Sequence, residues 1–207
     1  MTVAGVDEAG RGPIAGPVMA AAAILTPPQF RVLLSEGLND SKKLSERSRE
    51  RLFGRIRELG VTWSAQAASH DKIDRMNILR ATLWAMELAV RQLEARADGI
   101  DVIVVDGSAY IPGLPREIQR AVPRADAKVP AVMAASIVAK VLRDRVMRRL
   151  DRLYPDYGFA SHKGYPTREH RLVLDMLGPS PVHRLSFGGY NKNKIKNANN
   201  IYEPGDS

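Results

Sequence analysis

"VAGVDEAGRGP", residues 3–13, decides how this chain is read. The apolar run from Val3 has the length and composition of a buried strand. It ends on two adjacent carboxylates, Asp7 and Glu8, followed at once by a turn in which Arg11 sits between Gly10 and Gly12. A single acid after a strand is often only a turn or cap residue. The stretch therefore has to be weighed with what recurs downstream.

It does recur. "DVIVVDG" (101–107) is a continuous apolar strand, read as central and buried on both faces, and it too ends on an acid, Asp106. A third acid, Asp126 in "RADAKVP", follows a short β-like segment around Ile118 to Val122. Side chains at the carboxyl ends of neighbouring parallel strands converge on one crevice. If the first strand and the 101–107 strand are neighbours, Asp7 and Asp106 face each other. Clustered carboxylates stay ionised in a partly buried site only when something positive joins them. Carboxylate oxygens suit hard divalent cations such as Mg²⁺ or Mn²⁺. Two such ions about 3.5–4 Å apart serve phosphodiester hydrolysis by holding the attacking water and the leaving oxygen.

The glycine turn has a rival reading. "GRGPIA" (10–15) formally matches the dinucleotide-binding pattern G-x-G-x-x-A. Asp7 and Glu8 would repel a pyrophosphate there, and Pro13 removes an amide donor. The segment 29–35, "QFRVLLS", lacks the acid that a ribose would need. No G-K-[ST] follows, so the turn is not a P-loop.

The surrounding pattern predicts an α/β chain with a mixed sheet. "PVMAAAAIL" (17–25) reads as a second strand, returning antiparallel and ended by Pro27-Pro28. Ser45 caps a helix running to Gly60, and "VTWSAQA" (61–67) alternates as a half-buried strand. One long helix is expected from about Asp74 to Ala97, with Leu79, Leu83, Met86, Val90 and Leu93 on its apolar face. Another spans 131–153, and Thr167 caps a last one that Gly178 and Pro179 close. The domain reading is a core over 1–145, a helical extension over 146–190 and a basic, flexible tail over 191–207.

The 207 residues include no cysteine, which excludes disulfides, thiolate metal sites and cysteine nucleophiles and fits a cytoplasmic protein. No apolar run is long enough for a membrane span, and no secretion signal or membrane partner is expected. The net charge of +8 suits either a simple basic protein or one with a polyanionic partner, most simply nucleic acid. Nothing in the pattern suggests more than a monomer.

"GVDEAGRGPIAGPV" (5–18) resembles the N-terminal signature of bacterial ribonuclease HII, the type 2 ribonucleases H. Further blocks match in the expected order: "NDSKKLS" (39–45), "MNILRAT" (76–82), "VVDG" (104–107), "ADAKVPAVMAASIVAKVLRD" (125–144), "YGFASHKGYPTREH" (157–170) and "SPVHRLSF" (180–187). The resemblance implies a ribonuclease H-like fold: a mixed five-stranded sheet flanked by helices, with a helical C-terminal extension. It implies cleavage of RNA in RNA–DNA hybrids and incision 5′ to ribonucleotides embedded in duplex DNA, leaving 3′-hydroxyl and 5′-phosphate ends, with Mg²⁺ or Mn²⁺. By motif match it makes Asp7, Glu8, Asp106 and Asp126 the catalytic metal ligands. Gly10, Arg11 and Gly12 are assigned to the ribose 2′-hydroxyl through their backbone, and Tyr165 to stacking on the following deoxyribose. Lys42, Lys43 and Lys140 are candidate phosphate contacts, and Ser136 is a candidate substrate contact. Ser136, Lys140 and Arg143 share one helix face, which either follows a nucleic-acid backbone or is simply solvated. The Arg11 side chain either offsets local negative charge, meets a phosphate or is a bystander. His162, Lys163 and His183 carry no assigned role. The chain departs from the family's frequent pattern at Arg124-Ala125 and at Ser108, neither of which removes an acid.

Overall fold

The structure is a computed structural model that describes residues 1–188, so the tail reading from 191 onward lies outside the described residues. Five strands, β1 (Val3–Ala9), β2 (Val18–Ile24), β3 (Thr62–Ala68), β4 (Val102–Asp106) and β5 (Gln119–Val122), form one sheet in the order β3-β2-β1-β4-β5. β2 pairs antiparallel with β1 and β3, whereas β4 is parallel to β1 and to β5. The sheet is therefore mixed, as the α/β reading expects.

The helices are α1 (Pro27–Ser35), α2 (Glu46–Glu58), α3 (His70–Met76), α4 (Ile78–Glu94), α5 (Pro130–Leu153), α6 (Phe159–His162) and α7 (Arg168–Leu177). Two readings need correcting. Pro27-Pro28 do end the second strand, but they also open α1, whose Thr26 and Gln29 form a reciprocal capping box. The long helix expected from Asp74 to Ala97 is broken at Asn77, which takes a φ of +69° and caps α4 by accepting from the Arg80 amide. The apolar period runs on through the break, so periodicity alone conceals it.

Small residues let the layers approach closely. Along β2, Ala20 and Ala22 face α4 and its Ala81, Ala85 and Ala89, while Ala21 and Ala23 pack with Ala134 and Ala135 of α5. α1 and α2 complete the α5 side through Leu33, Leu52, Phe53 and Ile56. Backbone meets backbone at Gly5, where a Cβ would lie 2.2 Å from the backbone of Ala131 and Val132. The glycine of "VAGVD" thus seats the first turn of α5 directly on β1. α5 then runs through residue 145 without a break, from the sheet into the layer built by α6 and α7.

Candidate metal and nucleic-acid site

The expected convergence of the first and fourth strands occurs. On the β2 side, β1 continues past the two acids, pairing Asp7 with Ala21 and Glu8 with Ala20. On the β4 side the parallel ladder stops at Val6–Val105, so Asp7 and Asp106 are the next residues on adjacent strands. Both project to the α5 face. Asp126 lies in a short 3-10 turn (Ala125–Ala127) just before α5, reached through Arg124 at a φ of +59°. Asp106 anchors this turn, its Oδ1 accepting from the Ala125 amide at 2.6 Å and the Asp126 amide at 3.4 Å. Asp7, Asp106 and Asp126 each offer a carboxylate oxygen within 4.8 Å of the others. Glu8 stands outside this triad, because the strand's period of two turns its Cβ to the opposite face. Its Oε1 lies 3.6 Å from Arg11 Nη1.

This cluster asks for a cation. Burial raises the Asp7 carboxyl well above the usual carboxylate range, and the charges of Glu8 and Asp106 push it further. Burial also raises Glu8, against the opposing pull of Arg11. Lys42 answers part of the demand, its Nζ 2.7 Å from Asp126 Oδ2, and this hydrogen bond raises the lysine's own pKa. Three buried or half-buried oxygens around one point, with an ammonium group at their edge, are a donor set that fits a hard divalent ion.

A pocket beside the acids gathers most of the other expected residues: Asp7, Glu8, Gly10, Lys42, Ser136, Lys140 and Tyr165 line it, with Ser41. Ser41 Oγ and Ser136 Oγ are 2.7 Å apart, joining the lysine loop to α5. Lys140 reaches Asp144 at 3.1 Å, and Lys43 is exposed outside the pocket. The shared face of Ser136, Lys140 and Arg143 is not an open one. Ser136 and Arg143 are buried, and Arg143 donates to the carbonyls of Pro17 and Ala15. It also fills the space a side chain at Gly10 would need: a Cβ there would lie 1.9 Å from Arg143 Nε. Gly10 has a φ of +99°, so both conformation and crowding demand glycine. At Gly12 the nearest atom to such a Cβ is Tyr165 Cε1, at 3.5 Å, so the turn and the tyrosine ring are neighbours.

The model of the family described as ribonuclease HII matches residues 4–189. The chain belongs to the ribonuclease HII family. It is 49% identical over 187 residues to ribonuclease HII of Coxiella burnetii (strain Dugway 5J108-111), covering 90% of this chain and 88% of the relative. To that of Syntrophotalea carbinolica it is 46% identical, over 90% and 85% of the two chains. The crystal structure of ribonuclease H2 from Pyrococcus horikoshii OT3 superposes with a TM-score of 0.73 at 29% identity, over 97% and 98% of the two chains. A ribonuclease HIII in complex with Mn²⁺ has the same fold, with a TM-score of 0.73 at 19% identity, over 97% of this chain and 71% of that one. The chain is thus a ribonuclease H, a nuclease of RNA–DNA hybrids that depends on divalent metal.

In this ribonuclease HII chain, sequence reasoning missed the residues that hold the glycine turn. Arg184 is fully buried and donates to the carbonyls of Gly10 (2.7 Å), Arg11 (3.1 Å), Pro13 (2.6 Å) and Gly16 (2.9 Å). Its own amide donates to the Ile14 carbonyl, and Ala15 bridges His183. The signal was present only as an arginine inside a matched block, because its partners lie more than 160 residues away. Arg49 and Asp144 were missed as well. Arg49 donates to the Ser41 carbonyl in the loop that bears Lys42 and sits 3.6 Å from buried Asp144, which holds Lys140. Among the described residues, no helix is long and apolar enough to cross a membrane.

Proposed function

We propose that this ribonuclease incises duplex DNA 5′ to single embedded ribonucleotides as well as cutting longer hybrids, leaving 3′-hydroxyl and 5′-phosphate ends, with Mg²⁺ or Mn²⁺ bound by Asp7, Asp106 and Asp126 and with Glu8 completing the set. One observation carries the reading: Gly10 and Tyr165 line the same pocket as Asp7 and Glu8. A 2′-hydroxyl is both donor and acceptor and is what marks RNA within DNA. Peptide groups of the Gly10-Arg11-Gly12 turn can address both capacities, and Gly12 leaves the ribose room beside Tyr165. Tyr165, 42% exposed, has a ring that can stack on the next sugar.

Divalent ions, when bound, activate the attacking water and stabilise the charge that grows on the scissile phosphate. The protein's own groups prepare that event. Asp7 and Asp106 come from the carboxyl ends of two adjacent interior strands, and Asp106 also holds the turn that presents Asp126. Lys42 neutralises Asp126 in the free protein and can swing, with a side chain 74% exposed, toward a phosphate. Lys140, Lys43 and Ser136 offer further contacts along the strand. Arg11 offsets the charge of Glu8 through its side chain, while its carbonyl is held by Arg184.

The test is an end-labelled DNA duplex with one ribonucleotide, incubated with Mg²⁺ or Mn²⁺. The expected product is a single nick on the 5′ side of the ribonucleotide, with Asp106→Asn inactive. Cleavage of uniform hybrid without any nick at the single ribonucleotide overturns the junction reading and leaves the ribonuclease H activity in place.

A further inference from the structure

Three histidines lie outside the pocket: His170 and His183 are hydrogen-bonded to each other, and His162 stacks on His170. The Ser180 amide donates to His183 Nδ1 at 2.9 Å, with Ser180 Oγ at 2.8 Å from the same nitrogen. An amide only donates, so Nδ1 accepts and the His183 proton resides on Nε2. His183 Nε2 lies 3.0 Å from His170 Nε2, which must then accept, placing the His170 proton on Nδ1. His170 Nδ1 lies 2.8 Å from the Tyr165 carbonyl, which only accepts. The assignment made from the Ser180 end therefore agrees with the one made from the Tyr165 end. His162 is equally determined: it accepts from the Gly164 amide at Nδ1 and donates to the Tyr157 carbonyl at Nε2. All three rings are neutral, in one tautomer each. Burial agrees, pushing His170 down to about 4 and His183 down to about 3. The rings are clamped as well as bonded, with His162 stacked on His170 at 4.1 Å and Phe159 packed against all three.

The unit ends on the tyrosine of the pocket. Tyr165 is 42% exposed, and its backbone is held on several sides. That backbone enters through Lys163 and Gly164, with φ of +51° and +80°. Its amide donates to the His162 carbonyl, and its carbonyl accepts from the Thr167 amide and from His170. At the far end of the unit, His183 bridges Ala15, and its neighbour Arg184 grips the carbonyls of the Gly10–Pro13 turn.

We propose that His170 and His183 are positioning residues that tie the Tyr165 backbone to the segment clamping the glycine turn, and so set the gap in which a ribonucleotide junction is gripped. The proposal rests on the reading of Tyr165 as a sugar-stacking residue. Its consequence is specific: the histidines act on junction cleavage through Tyr165 and not through the metal ligands.

A double-mutant cycle on the full chain tests it. Single-turnover rates and KM are measured on the one-ribonucleotide duplex for the wild type, His170→Leu, His170→Asn, Tyr165→Ala and the double variant His170→Leu/Tyr165→Ala. His170→Leu is expected to slow junction incision about tenfold, the scale of coupling between interacting residues. His170→Asn, whose amide can donate near the position of Nδ1, is expected to recover most of that loss. In the Tyr165→Ala background, His170→Leu is expected to change the rate by less than about twofold. An equal loss in both backgrounds overturns the positioning role while leaving the tyrosine reading intact. If Tyr165→Ala itself cleaves like the wild type, the tyrosine reading fails and takes this proposal with it. Should His170→Leu fold poorly, ¹⁵N-resolved NMR of the wild-type imidazoles at neutral pH decides instead. Nδ1–H on His170 with Nε2–H on His183 supports the relay; an imidazolium or the opposite tautomer on either ring overturns it.

Discussion

Asp7 is held in a state that disfavours its own charge. Burial, Glu8 and Asp106 all raise its pKa, so the folded protein without metal binds a proton more tightly there than the unfolded chain does. By linkage, its contribution to stability falls as pH rises from the unfolded carboxylate value through the folded one. Asp7→Asn is therefore expected to raise the Tm of the metal-free protein and to abolish the upward Tm shift that Mn²⁺ gives the wild type, as read by thermal scans with and without the ion. Cleavage should fall on the order of a hundredfold or more, since metal ligation supplies several kcal/mol of transition-state stabilisation. The two glycines of the turn separate in the same way. Gly10→Ala meets both a positive φ and Arg143, and should cost roughly 2–4 kcal/mol in urea unfolding. Gly12→Ala makes only an ordinary contact with Tyr165, so its Tm should stay within a few degrees while the KM for the one-ribonucleotide duplex rises.

At the scale of elements, the segment 180–187 fastens the glycine turn to the C-terminal layer. Arg184→Leu leaves four carbonyls without their cationic donor and should cost on the order of 3–5 kcal/mol in a denaturant titration. Arg184→Lys should recover little of that, because an ammonium group cannot span four acceptors arranged around a planar fork. The same layer imposes an acid limit. His170 and His183 have folded pKa values below their unfolded ones, so the unfolded chain takes up more protons at mildly acidic pH. Their stability contribution is complete above about pH 6.5 and is lost progressively as pH falls toward about 4 for His170 and about 3 for His183. Unfolding free energies measured from pH 7 down to 4 should decline, and His183→Gln should flatten that decline.

Across the whole molecule, catalysis and folding draw on different parts. The core lies between the sheet and the helices on its two faces, whereas the carboxylates sit at the carboxyl ends of two interior strands and in the turn before α5. Chelation by EDTA should therefore abolish cleavage while far-UV circular dichroism stays unchanged. With a net charge of +8, hybrid binding should weaken linearly in a plot of log affinity against log salt. Lys42→Ala and Lys140→Ala should each reduce that slope by about one if each contacts a phosphate.

Much of this protein follows from local pattern. The strands around Asp7 and Asp106, the helices capped by Ser45 and Thr167, and the three acids of the metal cluster are all legible because each rests on near-neighbour spacing or on a motif. The break at Asn77 was not legible, because the apolar period continues across it and only a backbone angle reveals it. Tertiary structure alone decided three things. It decided that Asp106 and Asp126 join Asp7 and not Glu8, since alternation puts the two adjacent acids on opposite faces but only the neighbouring elements show which face carries the others. It buried Arg184 on the carbonyls of the glycine turn and Arg143 against Gly10 and on the Ala15 and Pro17 carbonyls, because a buried guanidinium is defined by carbonyls far away in the chain. It linked His183 and His170 into one neutral relay ending on the Tyr165 carbonyl, with His162 stacked against it. The sequence by itself determined which acids come together as candidate metal ligands; the fold decided which groups hold them in place, because long-range hydrogen bonds leave no periodic trace along the chain.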